Sequence, residues 1–182
     1  GIFTAIEGMI AVAIFPTLTK FLARRTIFFS GAVVMLAGYV LFMFAGNNLP
    51  VVLTAVTMFF MPYPIMFLVV LMTITDSVEY GQWKLGTRHE SVTLAIRPLL
   101  DKLAGAFANG VVGFAAVVAG MTGSAKPSDI TAQGLQMFKV FMFYGPMILI
   151  VISVLIYWRK VTLTETRHAE IVAELEERLQ EK

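Results

Sequence analysis

Five long apolar runs separated by short polar segments organise this chain. The runs are continuous rather than alternating, and they cover approximately residues 1–22, 28–47, 50–74, 91–120 and 137–158. A bilayer core about 30 Å thick is crossed by roughly 20 helical residues, and backbone groups in lipid must form hydrogen bonds within their own segment. The pattern therefore predicts an all-α membrane protein with about five transmembrane helices in residues 1–160.

The last segment, residues 161–182, has a different pattern. Ile171, Leu175 and Leu179 recur every four residues, with glutamates and an arginine between them. This spacing puts the apolar side chains on one face and predicts an amphipathic helical tail outside the membrane. Two interpretations stay open for it: a solvated tail, or a linker to a further domain.

The placement of basic residues predicts the orientation of the spans. Lysines and arginines are concentrated in alternate connections: Lys20, Arg24, Arg25, Lys84, Arg88, Arg159 and Lys160. The opposite connections offer only Lys126, with Lys139 just inside the next span. Because cytoplasmic loops carry the excess of positive charge, we expect the 76–90 loop and the tail to be cytoplasmic, and the 46–50 and 121–136 loops to face outward.

Composition agrees with a membrane location and excludes several kinds of site. The chain is 58% hydrophobic and 14% charged, against about 25% charged residues in soluble domains. It has no cysteine, which excludes disulfides and thiolate metal sites. His89 and His168 are far apart in sequence, so we expect no metal site. The chain opens inside an apolar run without a methionine, so we expect a truncated polypeptide.

Four ionisable residues within or beside spans are candidates for function, because charges are costly in the membrane. Arg97 and Asp101 are four residues apart on a helix and predict a structural ion pair. Lys102 points about 100° away from Asp101 and needs another partner, either Glu7 or a carboxylate outside this chain. Lys102 is thus the main candidate for a substrate or cation site, with Glu7 and Asn109 as weaker candidates; Asn109 also fits a hydrogen bond between helices.

The polar segment 76–90 is unusually rich in charge for a connection. Five ionisable side chains are candidates for a cytoplasmic gate: Asp76, Glu79, Lys84, Arg88 and Glu90. Asp76 and Glu79 share a face if the segment is helical. Surface ion pairs contribute about 0–1 kcal/mol each, and such weak contacts suit a gate that must open and close. A simple solvated loop is the alternative.

Three segments together resemble a known family. The run from Asp76 to Ser91 (DSVEYGQWKLGTRHES) resembles a cytoplasmic loop of the glycoside–pentoside–hexuronide:cation symporters, in which two acids three apart precede Tyr-Gly and a lysine. The run from Ile96 to Gly110 (IRPLLDKLAGAFANG) is similar to the helix that follows, above all in the galactoside branch. The tail from Glu165 to Glu177 (ETRHAEIVAELEE) also resembles that branch.

The resemblance implies a major-facilitator fold with two halves of six helices, and this chain would supply most of the C-terminal half. It implies secondary active transport of a sugar, a galactoside or other glycoside, by alternating access in the plasma membrane of a bacterium. The coupling Na+, Li+ or H+ would be bound mainly by acidic residues of the missing N-terminal half. Lys102 matches a lysine that approaches this site, and Asp76, Glu79 and Arg88 match ion pairs that hold the outward-facing state.

The resemblance also bears on cofactors and partners. It implies no enzyme activity and no organic cofactor, and it gives no reason to expect nucleic acid. The expected partners are the lipid bilayer, the sugar and the missing half of the polypeptide. Galactoside members often carry a IIA-like domain after such a tail, so that domain or a phosphotransferase protein is a further candidate partner.

Two rival functions stay open. One is a major-facilitator transporter of another solute, such as a peptide or drug. The other is a non-transporting membrane scaffold or sensor whose polar loop binds a cytoplasmic protein. A charged lysine at mid-membrane depth argues against a scaffold, because a scaffold has no use for so costly a group.

Overall fold

The chain is helical throughout the part described by the computed structural model, which covers residues 2–121, 123 and 130–180, without the side chain of Leu179. There are eight α-helices and one π-helical turn in these residues: α1 Ile2–Phe21, α2 Arg24–Phe44, α3 Leu49–Phe60, α4 Pro62–Leu85, α5 Glu90–Val118, α6 Ala132–Lys139, the π-helix Val140–Tyr144, α7 Gly145–Lys160 and α8 Glu165–Gln180. No strand occurs among them, so the predicted all-α class is confirmed. Much of the predicted 121–136 loop, including Lys126, lies outside the described residues.

Five stretches are long and apolar enough to cross a membrane: Ile2–Phe21, Arg24–Phe44, Leu49–Leu85, Glu90–Val118 and Ala132–Lys160. The third stretch joins α3 to α4, and the fifth joins α6, the π-helix and α7. By contact, the chain divides into two compact units. Unit 1 consists of residues 1–95 with 153–182, and unit 2 of residues 96–152.

Helix α4 is longer than the pattern of apolar residues indicates. The sequence predicts a span ending near residue 74 and a polar loop over 76–90, whereas the helix continues to Leu85. Polar residues do not by themselves end a helix, and a residue with special backbone geometry does so here. Gly86 has φ 74°, and its N–H bonds to the Gln82 carbonyl, as in a left-handed helix cap. Asp76 and Glu79 therefore lie on a helix.

The break between α3 and α4 follows from proline. Pro62 and Pro64 have no backbone N–H to donate, and each proline ring clashes in a helix with the carbonyl group four residues earlier. The chain turns at Met61, and α4 begins at Pro62, where a missing N–H costs little because the first helical turn leaves it unpaired. The two prolines thus set the boundary between α3 and α4.

Unit 1 is built around an aromatic and aliphatic core. Phe15, Ile27, Phe28, Val69 and Tyr157 are all buried, and the Phe28 and Tyr157 rings stack with their centroids 4.1 Å apart. These residues bring α1, α2, α4 and the end of α7 together. The core therefore fixes the positions of the helix ends that carry the charged residues described below.

Unit 2 contains the π-helical turn. The Gly145 N–H bonds to the Val140 carbonyl five residues earlier, and Pro146 follows directly. Since a proline cannot donate and its ring crowds the carbonyl four residues before it, a wider turn before Pro146 relieves that crowding. Phe114 and Phe141 pack edge to face in this unit, with their centroids 5.5 Å apart.

Candidate functional site

The tail helix α8 packs along the polar end of α4. Ile171 is completely buried, so the apolar face predicted for the tail is covered by protein. The Trp83 indole donates a 2.6 Å hydrogen bond to Glu174, and the Arg167 guanidinium lies 5.3 Å from the Trp83 ring centroid. The tail is therefore docked in unit 1, which differs from the solvated tail left open by the sequence.

Five ionisable residues meet where α2, α4 and α8 come together. We call Arg24, Asp76, Glu79, Glu165 and His168 the charged cluster. Arg24 Nη1 lies 2.6 Å from Asp76 Oδ2, and each of these two side chains is only 14% exposed. The Arg24 backbone N–H donates to Glu165 Oε1 at 2.6 Å. His168 Nε2 contacts Glu79 Oε2 and lies 3.6 Å from Asp76 Oδ1.

The electrostatics of the cluster favour the ionised form of Glu165. Partial burial alone would raise the pKa of the Glu165 carboxyl, but hydrogen bonds from backbone N–H groups, chiefly that of Arg24, and the Arg24 guanidinium together lower it. An opposite charge and N–H donors both stabilise a carboxylate. The start of α8 is thus tied to the start of α2 by a charged group.

Asp76, Glu79 and His168 also present a set of atoms that could ligate a metal, all within 4.8 Å of one another. Sequence reasoning expected no metal site because His89 and His168 are distant in sequence, and it did not consider His168 beside the two acids. In this geometry Asp76 already accepts from Arg24, and Glu79 contacts the His168 ring. We therefore interpret the cluster as an ion-pair centre.

The other predicted gate residues lie apart from the charged cluster. Arg88 Nε lies 2.8 Å from Glu90 Oε2, and the Arg88 guanidinium also donates to Gln82 at 3.1 Å. Both Arg88 and Glu90 are about half exposed. The Lys84 amine lies 5.8 Å from the Tyr80 ring centroid. The structure thus places Asp76 and Glu79 in the charged cluster, and it leaves Lys84, Arg88 and Glu90 outside that cluster.

Sequence reasoning missed Arg24, Glu165 and His168 as members of the site. The sequence pattern gives Arg24 only as a sign of orientation, and it gives Glu165 and His168 only as parts of an amphipathic helix and of the family resemblance. The sequence does carry one signal. His168 lies three residues before Ile171, on the apolar side of α8, where a polar residue indicates a buried polar contact.

Glu7 is a buried carboxylate in the first span. It is 7% exposed, and neither carboxylate oxygen has a hydrogen-bond partner among the described residues. An ionised carboxylate is costly in such a place unless it is paired. Glu7 therefore stays a predicted weaker candidate for the substrate or cation site, and the described residues of unit 1 supply no hydrogen-bond partner for its carboxylate.

Unit 2 carries Lys102, Asn109 and the predicted structural pair. Arg97 Nε lies 3.8 Å from Asp101 Oδ2, at the expected spacing of four residues. Lys102 and Asn109 are both exposed on α5. They are seven residues apart, so they share a helix face. Gly105 and Gly113 lie close to that face, and a Cβ added at either would meet no atom within 4 Å.

The comparisons with known proteins identify relatives that transport sugars. Residues 1–165 match the family described as MFS/sugar transport protein. The chain is 52% identical over 169 residues to the raffinose carrier protein of Pediococcus pentosaceus, covering 93% of this chain and 26% of that protein. It is 41% identical over 179 residues to the lactose permease of Leuconostoc lactis, covering 98% of this chain and 28% of that permease.

A further relative agrees with these two. The lactose permease of Lactobacillus delbrueckii subsp. bulgaricus is 47% identical over 169 residues, covering 93% of this chain and 27% of that permease. The chain therefore spans roughly a quarter of the length of these relatives.

Proposed function

Because the chain belongs to the MFS/sugar transport protein family, matched over residues 1–165, we propose that it is the C-terminal part of a sugar permease. The substrate is a galactoside or another glycoside, and transport is coupled to Na+ or H+ by alternating access. The relatives named as raffinose carrier and lactose permease support this substrate class. The protein lies in the cytoplasmic membrane of a bacterium. The coupling cation binds mainly to residues outside this chain.

The observation that carries this proposal is the polar face of α5. Lys102 and Asn109 are exposed on a membrane helix that is apolar between them except for small residues, and the neighbouring glycines leave open space. A lysine facing lipid at this depth would cost at least about 2.5–3.5 kcal/mol on insertion scales. We infer that this face is turned toward a polar cavity between two halves of the permease, where the ammonium interacts with carboxylates and sugar hydroxyls.

The charged cluster fits a different role in the same cycle. It lies at the polar end of α4, away from the apolar part of the spans, and it holds α2, α4 and α8 together by ion pairs. We propose that Asp76 and Glu79 take part in a gate on the cytoplasmic side. The ion pairs of this gate stabilise one conformational state of the transporter.

The test replaces Lys102 in the full-length permease that carries this chain. We expect Lys102→Ala to abolish uphill sugar accumulation, because the carboxylates of the site lose their counter-charge. Lys102→Arg is a poor substitute, since a rigid fork replaces a compact ammonium. The measurement pairs uphill sugar uptake with sugar binding in the same membranes.

Asp76→Asn is the comparison variant. It should leave sugar binding largely intact and shift the balance between outward and inward states, because it weakens a contact rather than the binding site. Normal uphill uptake by Lys102→Ala at normal expression would remove this residue from the mechanism. A full-length protein that moves no sugar in any variant, including the wild type, would favour the scaffold or another solute.

A further inference from the structure

A cavity of about 380 Å³ opens beside the charged cluster in unit 1. It is lined by the starts of α2 and α8, by the polar part of α4, by the end of α7 and by the connection between α7 and α8. Its ionisable lining residues are Arg24, Arg25, Asp76, Lys160, Glu165 and Arg167. The cavity is large enough for a phosphate group.

The lining has more positive than negative charge, and the excess is localised. Arg24 forms ion pairs with Asp76 and Glu165, and Arg167 forms one with Glu170 at 2.7 Å. The Arg25 guanidinium instead donates to the Trp158 carbonyl at 3.0 Å and lies 5.6 Å from the Phe29 ring centroid, and no carboxylate among the described residues forms an ion pair with it. Lys160 has no ion pair among the described residues. Two cationic side chains therefore remain available to an anion.

The connection between α7 and α8 adds neutral donors. Residues 161–164 are not helical, and within the part of the chain that the structure describes, the N–H groups of Thr162, Leu163 and Thr164 donate no backbone hydrogen bond. All three residues line the cavity. Backbone N–H groups left without an acceptor are common ligands of phosphate oxygens.

The position along the spans fits an anion at the membrane surface. Arg25 is the second residue of α2, and Lys160 is the last residue of α7, so both lie where an apolar span ends. Trp158, next to Arg25, is 60% exposed, and exposed tryptophans are typical of the interface between lipid and water. The cavity is thus at the depth of lipid phosphates.

We propose that this cavity is a binding site for a phosphate-bearing anion, held by Arg25, Lys160 and the 161–164 connection. The anion has two sources with the same chemistry: the headgroup of an anionic lipid, or a free phosphate from the aqueous phase. Occupancy would join α2 to α7 and α8 and stabilise the docked tail. The proposed anion site requires the full-length membrane protein, and it does not depend on which solute that protein transports.

The experiment measures anion binding by the purified full-length permease in two arms. Native mass spectrometry titrates phosphatidylglycerol, with phosphatidylcholine as the reference lipid, and calorimetry titrates inorganic phosphate into detergent-solubilised protein. The test variant is Arg25→Gln/Lys160→Gln. We expect it to lose about thirtyfold in affinity for the anion that binds, because each cation near an anionic surface contributes a similar factor.

The matched control is Lys20→Gln/Arg159→Gln, which removes two exposed cations that do not line the cavity. If the test variant loses affinity only for phosphatidylglycerol, the site binds lipid headgroups. If it loses affinity only for inorganic phosphate, the site binds free phosphate. Loss of affinity for both shows a general phosphate site. Equal affinities for the test and control variants, or no anion binding by the wild type, would overturn the proposal. If the double variant does not fold, Lys160→Gln alone should lose about fivefold in affinity, because Lys160 forms no ion pair with any residue that the structure describes.

Discussion

At the scale of single residues, Arg24 holds the charged cluster together. Its guanidinium contacts Asp76, and its backbone N–H bonds to Glu165, so one residue of α2 reaches both α4 and α8. Removing one partner of a largely buried ion pair leaves the other charge uncompensated. Arg24 therefore contributes more to stability than an exposed arginine of the same chain.

We expect Arg24→Gln to destabilise the full-length protein by about 1–3 kcal/mol. The cause is the Asp76 carboxylate, which stays partly buried without its guanidinium. Thermal unfolding in detergent measures the effect, with Arg159→Gln as the control for loss of a nearby exposed charge. The double variant Arg24→Gln/Asp76→Asn should be less destabilised than the sum of its single variants; a simple sum would show that the two side chains do not interact.

The lowered pKa of Glu165 predicts how docking of the tail depends on pH. A carboxyl with a lower pKa in the folded protein stabilises it above the unfolded pKa, near the ordinary 4.5, and loses that contribution as pH falls through the folded value. We expect the stability difference between wild type and Glu165→Gln to be full above about pH 5 and to vanish at lower pH.

The measurement is thermal unfolding of both proteins across the acidic range. Because the cluster contains other ionisable residues, the difference between the two proteins, rather than either curve, reports Glu165. Glu176→Gln, an exposed position on the same helix, is the control and should show no such dependence. The stability difference between wild type and Glu165→Gln should not persist in strong acid. If it stays unchanged there, the contact between Glu165 and Arg24 is wrong.

At the scale of elements, the tail helix depends on one buried side chain. Ile171 is completely buried in a helix that is otherwise rich in charge. We expect Ile171→Ala to cost about 2–5 kcal/mol of docking free energy, because it removes buried methyl groups and leaves a cavity. Hydrogen exchange of residues 165–180 should accelerate, while exchange in α1 and α2 should not change.

Ile156→Ala is the matched control, because Ile156 is 57% exposed on α7 and loses the same atoms. It should leave exchange in the tail unaltered. Slow exchange of the tail in Ile171→Ala would show that the ion pairs with α2 and α4 are sufficient to hold α8.

The elements themselves could be predicted, and their contacts could not. Apolar runs and the need for internal backbone bonds determine the spans, and the four-residue spacing of Ile171 and Leu175 determines the tail helix. The end of α4 depends on Gly86, whose left-handed backbone the hydrophobic pattern does not reveal. The cluster depends on pairs separated by 141 and 89 residues, and no local pattern relates positions so distant.

At the scale of the whole molecule, the alternating connections predict a fixed topology. The chain has no cysteine, so single cysteines at Thr87, Thr164 and Asn47 can be placed in it without a background from this region. We expect membrane-impermeant reagents to label Thr87 and Thr164 positions from the cytoplasmic side and the Asn47 position from outside, because an odd number of spans separates them.

The reference for this experiment is the otherwise cysteine-free permease, which should take up no reagent. Labelling of the Asn47 and Thr87 positions from the same side would be incompatible with Leu49–Leu85 as a single membrane crossing. Labelling of Thr164 and Thr87 from opposite sides would be incompatible with a tail that docks on α4.

The distance along the chain between α8 and its partners has a consequence for biosynthesis. His168 is made 89 residues after Glu79, which at about 5–20 residues per second is roughly 4–18 s later. Until then the acids at the end of α4 have no contact with the tail, although the spans around them are already made. The charged cluster therefore closes only after the described spans have been made, and a ribosome that stops before Glu165 leaves Glu79 without its His168 contact. In such a product Asp76 would still contact Arg24 on α2, so only the part of the charged cluster that α8 supplies would be missing.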